Sequence, residues 1–269
     1  MTMTLISHKR FNLIDQKIAF FLNRLPANTL PISLRAVMEE LSRDGVYFNT
    51  FNQYAELNGI SVGLVPIRLH TDHACLQYDK SSGDAYIYYN KKMPKSTKRW
   101  DISHEIGHYI LGHYDSIDAN SGYFSEQDTQ RLEEEANYTA KQILAPDSLV
   151  IAVMANLNKF DHGFLYMVYR TLFKLSKQSS IYCAMHMEKY FRYKKVNEQL
   201  IRNYWTPLAS YLNDLSDEDT FEQWYYAHLM ELENYRKQQK SHTLQPVSEI
   251  MARMGYDPGY SVSTSNSAM

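Results

Sequence analysis

The chain is short of cysteine, of long apolar runs and of net charge, and each shortage excludes a class of protein. It has two cysteines in 269 residues, Cys75 and Cys183, far apart and without a pairing pattern. That excludes a disulfide framework and leaves no thiolate set for a zinc ion, so a reducing cytoplasm is the expected compartment. Every apolar stretch is short and interrupted by charge, so none would span a bilayer. Met1 to Arg10 lacks the apolar centre of a secretion signal. The formal net charge of −2 offers nucleic acid no strong attraction. The expectation is a soluble intracellular protein with no membrane partner and no direct nucleic-acid binding.

Hydrophobic residues make up 44 % of the chain, which suits a packed core rather than disorder. Phe11 to Arg24 reads as an amphipathic helix with Phe11, Ile14, Ile18, Phe21 and Leu22 on one face, and Ile32 to Leu41 as a second helix. Ile60-Ser61-Val62 and Gly63-Leu64-Val65 read as short β pieces. Cys75–Tyr78 and Ala85–Tyr89 flank a turn and predict a hairpin. Pro94 and Ser96-Thr97 open a helix that runs to His113. After a loop at Asn120-Ser121-Gly122, Ser125 caps another helix, with Asp128 at the capping-box position, and Pro146 stops it. Helices are expected over Leu149–Leu157, Phe164–Leu175, Ser179–Phe191, Val196–Leu215 and Thr220–Lys240. The fold class is α+β and mostly helical: two site-bearing helices on a small sheet, then a helical region and a disordered C-terminal tail. The expected organisation is a metal-binding core over residues 1–146, a helical extension over 147–195, further helices over 196–240 and the tail over 241–269.

The chemistry concentrates in His104-Glu105-Ile106-Gly107-His108. Two histidines four apart on a helix share a face one turn apart, so both imidazoles can reach one ion. Zinc acidifies a coordinated water, and Glu105 beside it can take the proton as general base. A catalytic zinc needs a third protein ligand and an open position. The downstream-histidine class, HExxHxxGxxH, is excluded, because Leu111 and Tyr114 stand at its glycine and histidine positions. His113 lies five residues past His108, at a poor angle on the same helix.

The third ligand is therefore sought in Glu133-Glu134-Glu135. Leu132, Ala136, Ala140, Ile143 and Leu144 form one apolar stripe. At about 100° per residue Glu133 falls inside that stripe, Glu135 well off its centre, and Glu134 points away. Glu133 is the expected ligand, because a metal would offset the cost of burying its carboxylate. Glu134 and Glu135 are expected to be solvated. Asn137, one turn after Glu133, is expected to orient a ligand.

These residues resemble the ImmA/IrrE family of zinc metallopeptidases. The resemblance rests on Tyr86–Asn90, on Lys98–His113 with its HExxH, and on Glu133–Pro146, and it covers roughly residues 30–185. Thr139 stands where the family usually has Phe, and Ile143 and Ala145 are looser matches. The family's zinc carboxylate stands four residues before the Asn, which is Glu133 here. The resemblance implies a zinc-dependent, cytoplasmic, site-specific endopeptidase that cleaves a helix-turn-helix transcriptional repressor of a mobile element or stress circuit. Two other functions fit the same residues: a regulator that captures a repressor without cutting it, and a DNA-binding protein with a structural zinc. Phe164–Phe191 has a helix-turn-helix pattern, but its second helix would present Tyr182, Met185, His186 and Met187 rather than a basic set, which favours packing over DNA reading. Substrate and oligomeric state leave no mark in the sequence.

Overall fold

The computed structural model of the chain describes residues 6–26, 29–114 and 125–241. The loop at Asn120-Ser121-Gly122 and the tail beyond Ser241 lie outside them. Helix α1 (His8–Leu22) starts where the Ser7 side chain accepts from the Arg10 amide, and it buries the expected apolar face. Helix α2 (Leu34–Ser42) follows, capped by Ser33. Strand β1 (Val46–Thr50) leads into α3 (Phe51–Leu57), closed at its start by a Thr50–Gln53 capping box.

The β pieces expected at Ile60–Val65 are not strands. Val62–Leu64 is a 3-10 turn and Val65–Leu69 a short helix, α4. Pro66 gives the physical reason: it fits the first turn of a helix and cannot donate to a strand ladder. The apolar residues here pack as a small separate cluster, Val65 and Leu69 with Phe51, Tyr54 and Tyr88.

Strands β2 (Ala74–Asp79) and β3 (Asp84–Tyr89) form the expected antiparallel hairpin. Strand β1 pairs parallel with β3, giving the order β1-β3-β2. On the central strand Ala85 and Ile87 are fully buried in the main core.

Helix α5 (Lys95–Leu111) packs on β2, on β3 and, most extensively, on α6 (Glu126–Leu144). The buried Arg99 ties α5 down by donating to the carbonyls of Phe173 (3.0 Å) and Ile32 (3.3 Å). Ser125 caps α6 and shares a mutual hydrogen-bond pair with Asp128, as expected. The remaining helices are α7 (Asp147–Leu157), α8 (His162–Thr171), α9 (Lys177–Tyr190), α10 (Glu198–Asn203), α11 (Trp205–Ser216) and α12 (Glu218–Ser241). The single helix expected over Val196–Leu215 is thus two, broken at Tyr204. A continuous helix would need the amide of residue 207 to bond the Asn203 carbonyl, and Pro207 has none. One apolar cluster runs from Ile6 on the N-terminal side to Leu215 on α11. On α9, Met187 and His186 are buried in the fold and Met185 is exposed. No helix among the described residues is long and apolar enough to cross a membrane.

Candidate metal centre

Glycine at position 107 sets how close α5 and α6 come. A β-carbon there would meet the Ala136 carbonyl oxygen at 2.9 Å and its Cα at 3.1 Å. The two backbones therefore nearly touch beside His108. Across this contact His104 and His108 on α5 face Glu133 on α6. His104 Nε2 lies 3.1 Å from Glu133 Oε2, and His108 Nε2 lies 3.3 Å from Oε1. The two Nε2 atoms are 3.0 Å apart. These three residues form the one His/Cys/Asp/Glu cluster among the described residues that could hold a metal ion.

The spacing can be tested against zinc. Bonds of about 2.0–2.1 Å in a tetrahedron separate ligand atoms by about 3.3 Å. The three observed separations are at or slightly below that length, and two imidazoles with one carboxylate are a donor set zinc accepts. The ring orientation agrees too. His104 Nδ1 lies 3.1 Å from Asn137 Oδ1, which keeps the proton on Nδ1 and leaves the Nε2 lone pair for an ion.

Electrostatics follow from burial and pairing. Burial alone would lower the His104 pKa, but Glu133, Glu105 and Asn137 outweigh it and hold it at about 9. Burial likewise pushes Glu133 up, while hydrogen bonds and charge from both histidines pull it far below the usual carboxylate range. Glu105 ends up raised: desolvation and the nearby Glu133 act against the two histidines and a backbone hydrogen bond from Leu76. A carboxylate with increased proton affinity beside a metal-ligand cluster is suited to carry a proton. Glu133 keeps about a third of its side chain exposed, so the cluster opens to solvent rather than being sealed as a structural site would be.

Residues 64–180 match the Peptidase_M78 family model, the IrrE N-terminal-like domain. That match supports a place for this segment in the ImmA/IrrE family. Its IrrE N-terminal-like domain runs from the turn before α4 into α9 and includes all of α5 and α6. The family resemblance drawn from the sequence is thereby borne out, over a narrower span than residues 30–185. No curated protein matches the chain.

The structure brings His104, His108, Glu133 and Asn137 together as the sequence suggested, with Glu105 beside them. It corrects the reading of three residues and adds further ones. Glu135, expected to be solvated, is 3 % exposed and paired with Arg10 of α1 and with His113. The single-stripe reading failed because α6 is covered on more than one face, by α5 and by α1. Every residue from Tyr138 to Ala145 is buried, Lys141 and Gln142 among them, so the second covered face left no apolar signal in the sequence. Glu134, also expected to point away, is half-buried. His113, set aside for its angle, is not on the same helix. Gly112 in the left-handed region (φ 70°) ends α5 and redirects the chain, so His113 Nδ1 comes back to 2.9 Å from His108 Nδ1. His73 also escaped the sequence reading. Its Nδ1 lies 2.9 Å from Asp101 of α5, whose hydrogen bond raises its pKa against burial.

Proposed function

We propose that this chain is a zinc-dependent endopeptidase that cleaves one regulatory protein, a helix-turn-helix transcriptional repressor, in the cytoplasm. The observation that carries the peptidase reading is the convergence of His104 Nε2, His108 Nε2 and the Glu133 carboxylate beside a half-buried Glu105 of raised proton affinity. Zinc held by those three side chains would supply Lewis acidity to a peptide carbonyl and acidify a water in the open fourth position.

Glu105 does the proton work: its carboxylate accepts the proton of the attacking water and delivers it to the leaving amine nitrogen. A developing oxyanion also calls for a donor. Tyr109 is engaged with the Asp44 carbonyl, Tyr114 stacks on Tyr78, and both ring nitrogens of His113 are taken. His73 is the further candidate, its Nδ1 held 2.9 Å from Asp101 of α5 and its Nε2 3.5 Å from the exposed Asp72. Asp101, its partner, precedes His108 by seven residues, so it lies about 20° from it around the helix axis and on the same face. His73 is therefore assigned the donor role, with Asp101 favouring its protonated form.

The choice of a repressor as substrate follows the family resemblance. The near-neutral charge and the burial of His186 and Met187 on α9 favour a protein partner over duplex DNA. The test is incubation of the zinc-loaded full chain with any helix-turn-helix repressor encoded beside its gene, read by mass spectrometry. Discrete fragments are expected from the wild type, and none from Glu105→Gln, which keeps its zinc. A fully loaded wild type that leaves the repressor intact in a stable complex overturns the peptidase reading in favour of a capturing regulator. Salt-dependent duplex binding without cleavage overturns it in favour of a DNA-binding protein.

A further inference from the structure

We propose that His113, Glu135 and Arg10 form a one-directional hydrogen-bonded chain that orients the ligand His108, so that helix α1, outside the matched domain, positions part of the metal centre. The inference rests on the metal-centre reading above and extends it.

Ring chemistry sets the direction. For His108 to offer its Nε2 lone pair toward Glu133 and an ion, its proton must sit on Nδ1. That nitrogen faces His113 Nδ1 at 2.9 Å, and only one proton fits between the two. His108 therefore donates and His113 accepts, which leaves the His113 proton on Nε2. His113 Nε2 lies 3.1 Å from Glu135 Oε2, an acceptor. The Glu135 carboxylate is held in turn by the Arg10 fork, with Nε donating to Oε1 at 2.9 Å and a terminal nitrogen to Oε2 at 2.5 Å. Each polar atom along the path has one role, and no other tautomer of His113 satisfies both neighbours.

Burial shows why such a chain would matter. His113 and Glu135 are 2 % and 3 % exposed, so little water is available to replace a lost partner. The other ligand, His104, is oriented by a different device, the Asn137 amide on the same helix as Glu133. Both imidazoles are thus held from behind, one by α6 alone and one through α6 and α1 together. His113, Glu135 and Arg10 stand outside the His104, His108 and Glu133 cluster and act through His108, as positioning residues.

The test is zinc affinity of the full chain, by competition with a chromophoric chelator, together with the visible spectrum of the cobalt(II)-loaded protein. Glu135→Gln and His113→Leu are expected to weaken zinc binding by about 10- to 100-fold and to shift the cobalt bands, and Arg10→Met to do so less. His113→Gln, which can still accept from His108 and donate to Glu135, is expected to recover most of the affinity. Nitrogen-15 imidazole shifts of the zinc-loaded wild type should show His108 protonated at Nδ1 and His113 at Nε2, a readout that needs no variant to fold. Folded variants with wild-type zinc affinity and an unchanged cobalt spectrum, or the opposite His113 tautomer, overturn the inference while leaving the metal centre standing. A wild type that takes up no zinc overturns the metal-centre reading, and this inference with it.

Discussion

At the residue scale the site separates side chains that touch the reaction from side chains that hold others. Glu105 and His73 belong to the first group under the proposed mechanism, and they make different demands on an assay. His73→Gln should leave zinc content and KM near wild type and lower kcat by on the order of 100-fold, the usual cost of losing one oxyanion donor. An unchanged kcat would remove His73 from the mechanism without touching the metal ligands. Glu133 illustrates a different point. Its carboxylate is held ionised by the two histidines it faces, despite the desolvation that opposes this.

At the element scale the decisive contact is α5 against α6. Gly107 weakens α5 as an isolated helix by about 1 kcal/mol relative to alanine. It is tolerated because a side chain there would drive into the Ala136 backbone. Backbone cannot move aside as a flexible side-chain tip can, so Gly107→Ala should be destabilising by about 1–3 kcal/mol, more than the helix-propensity gain returns. It should also weaken zinc binding, since the pushed-apart helices carry the histidines on one side and Glu133 on the other. Thermal unfolding and chelator competition on the same variant check both. A Gly107→Ala protein that melts higher and binds zinc equally well would refute this account of the contact. The small Thr139 belongs here too. A β-carbon at position 107 would meet the Thr139 Cβ at 3.1 Å, so a Phe at 139, the usual residue of the family, would crowd this approach.

At the scale of the whole molecule, buried charges join distant segments. Asp147 at the start of α7 takes Lys141 of α6 and Lys194 beyond α9, while Asp15 of α1 accepts from Tyr138 at 2.5 Å. Glu231 does the same for the C-terminal helix. It accepts from Tyr166 at 2.7 Å and Arg170 Nε at 3.1 Å on α8, and lies 3.0 Å from Lys177 on α9. Burial alone would raise its pKa, but these partners lower it from 4.5 to about 2. A depressed carboxylate contributes stability that is full above its unfolded pKa and is lost as pH falls through the folded one. Wild type should exceed Glu231→Gln by about 1 kcal/mol near neutrality, a figure reduced for partial exposure. The gap should close between about pH 4.5 and about pH 2. Urea denaturation at several pH values measures it, and a gap that widens in acid would contradict the assignment.

The features legible in the sequence were those that local spacing controls. Two histidines four apart on a helix share a face wherever that helix packs, and Gly83 with its flanking β-formers makes a hairpin from nearest neighbours alone. Ser125 and Asp128, Pro146 and the periodicity of α6 likewise act within a turn or two, so Glu133 and Asn137 could be assigned before any fold was known. Strand β1 was not legible, because it is five residues long and its partner β3 lies far along the chain. Glu135, His113 and Arg10 were decided only by tertiary structure. A helix with two covered faces shows the same periodicity as a helix with one, until the element that covers the second face is in place. That element is α1, whose amphipathic pattern was plain in the sequence but whose docking against α6 was not. Sequence alone therefore brought out His104, Glu105, His108 and Glu133 as the candidate ligands and base, because helical geometry is local. Which side chains stand behind those ligands depends on contacts between segments more than a hundred residues apart, and only the packed molecule sets them.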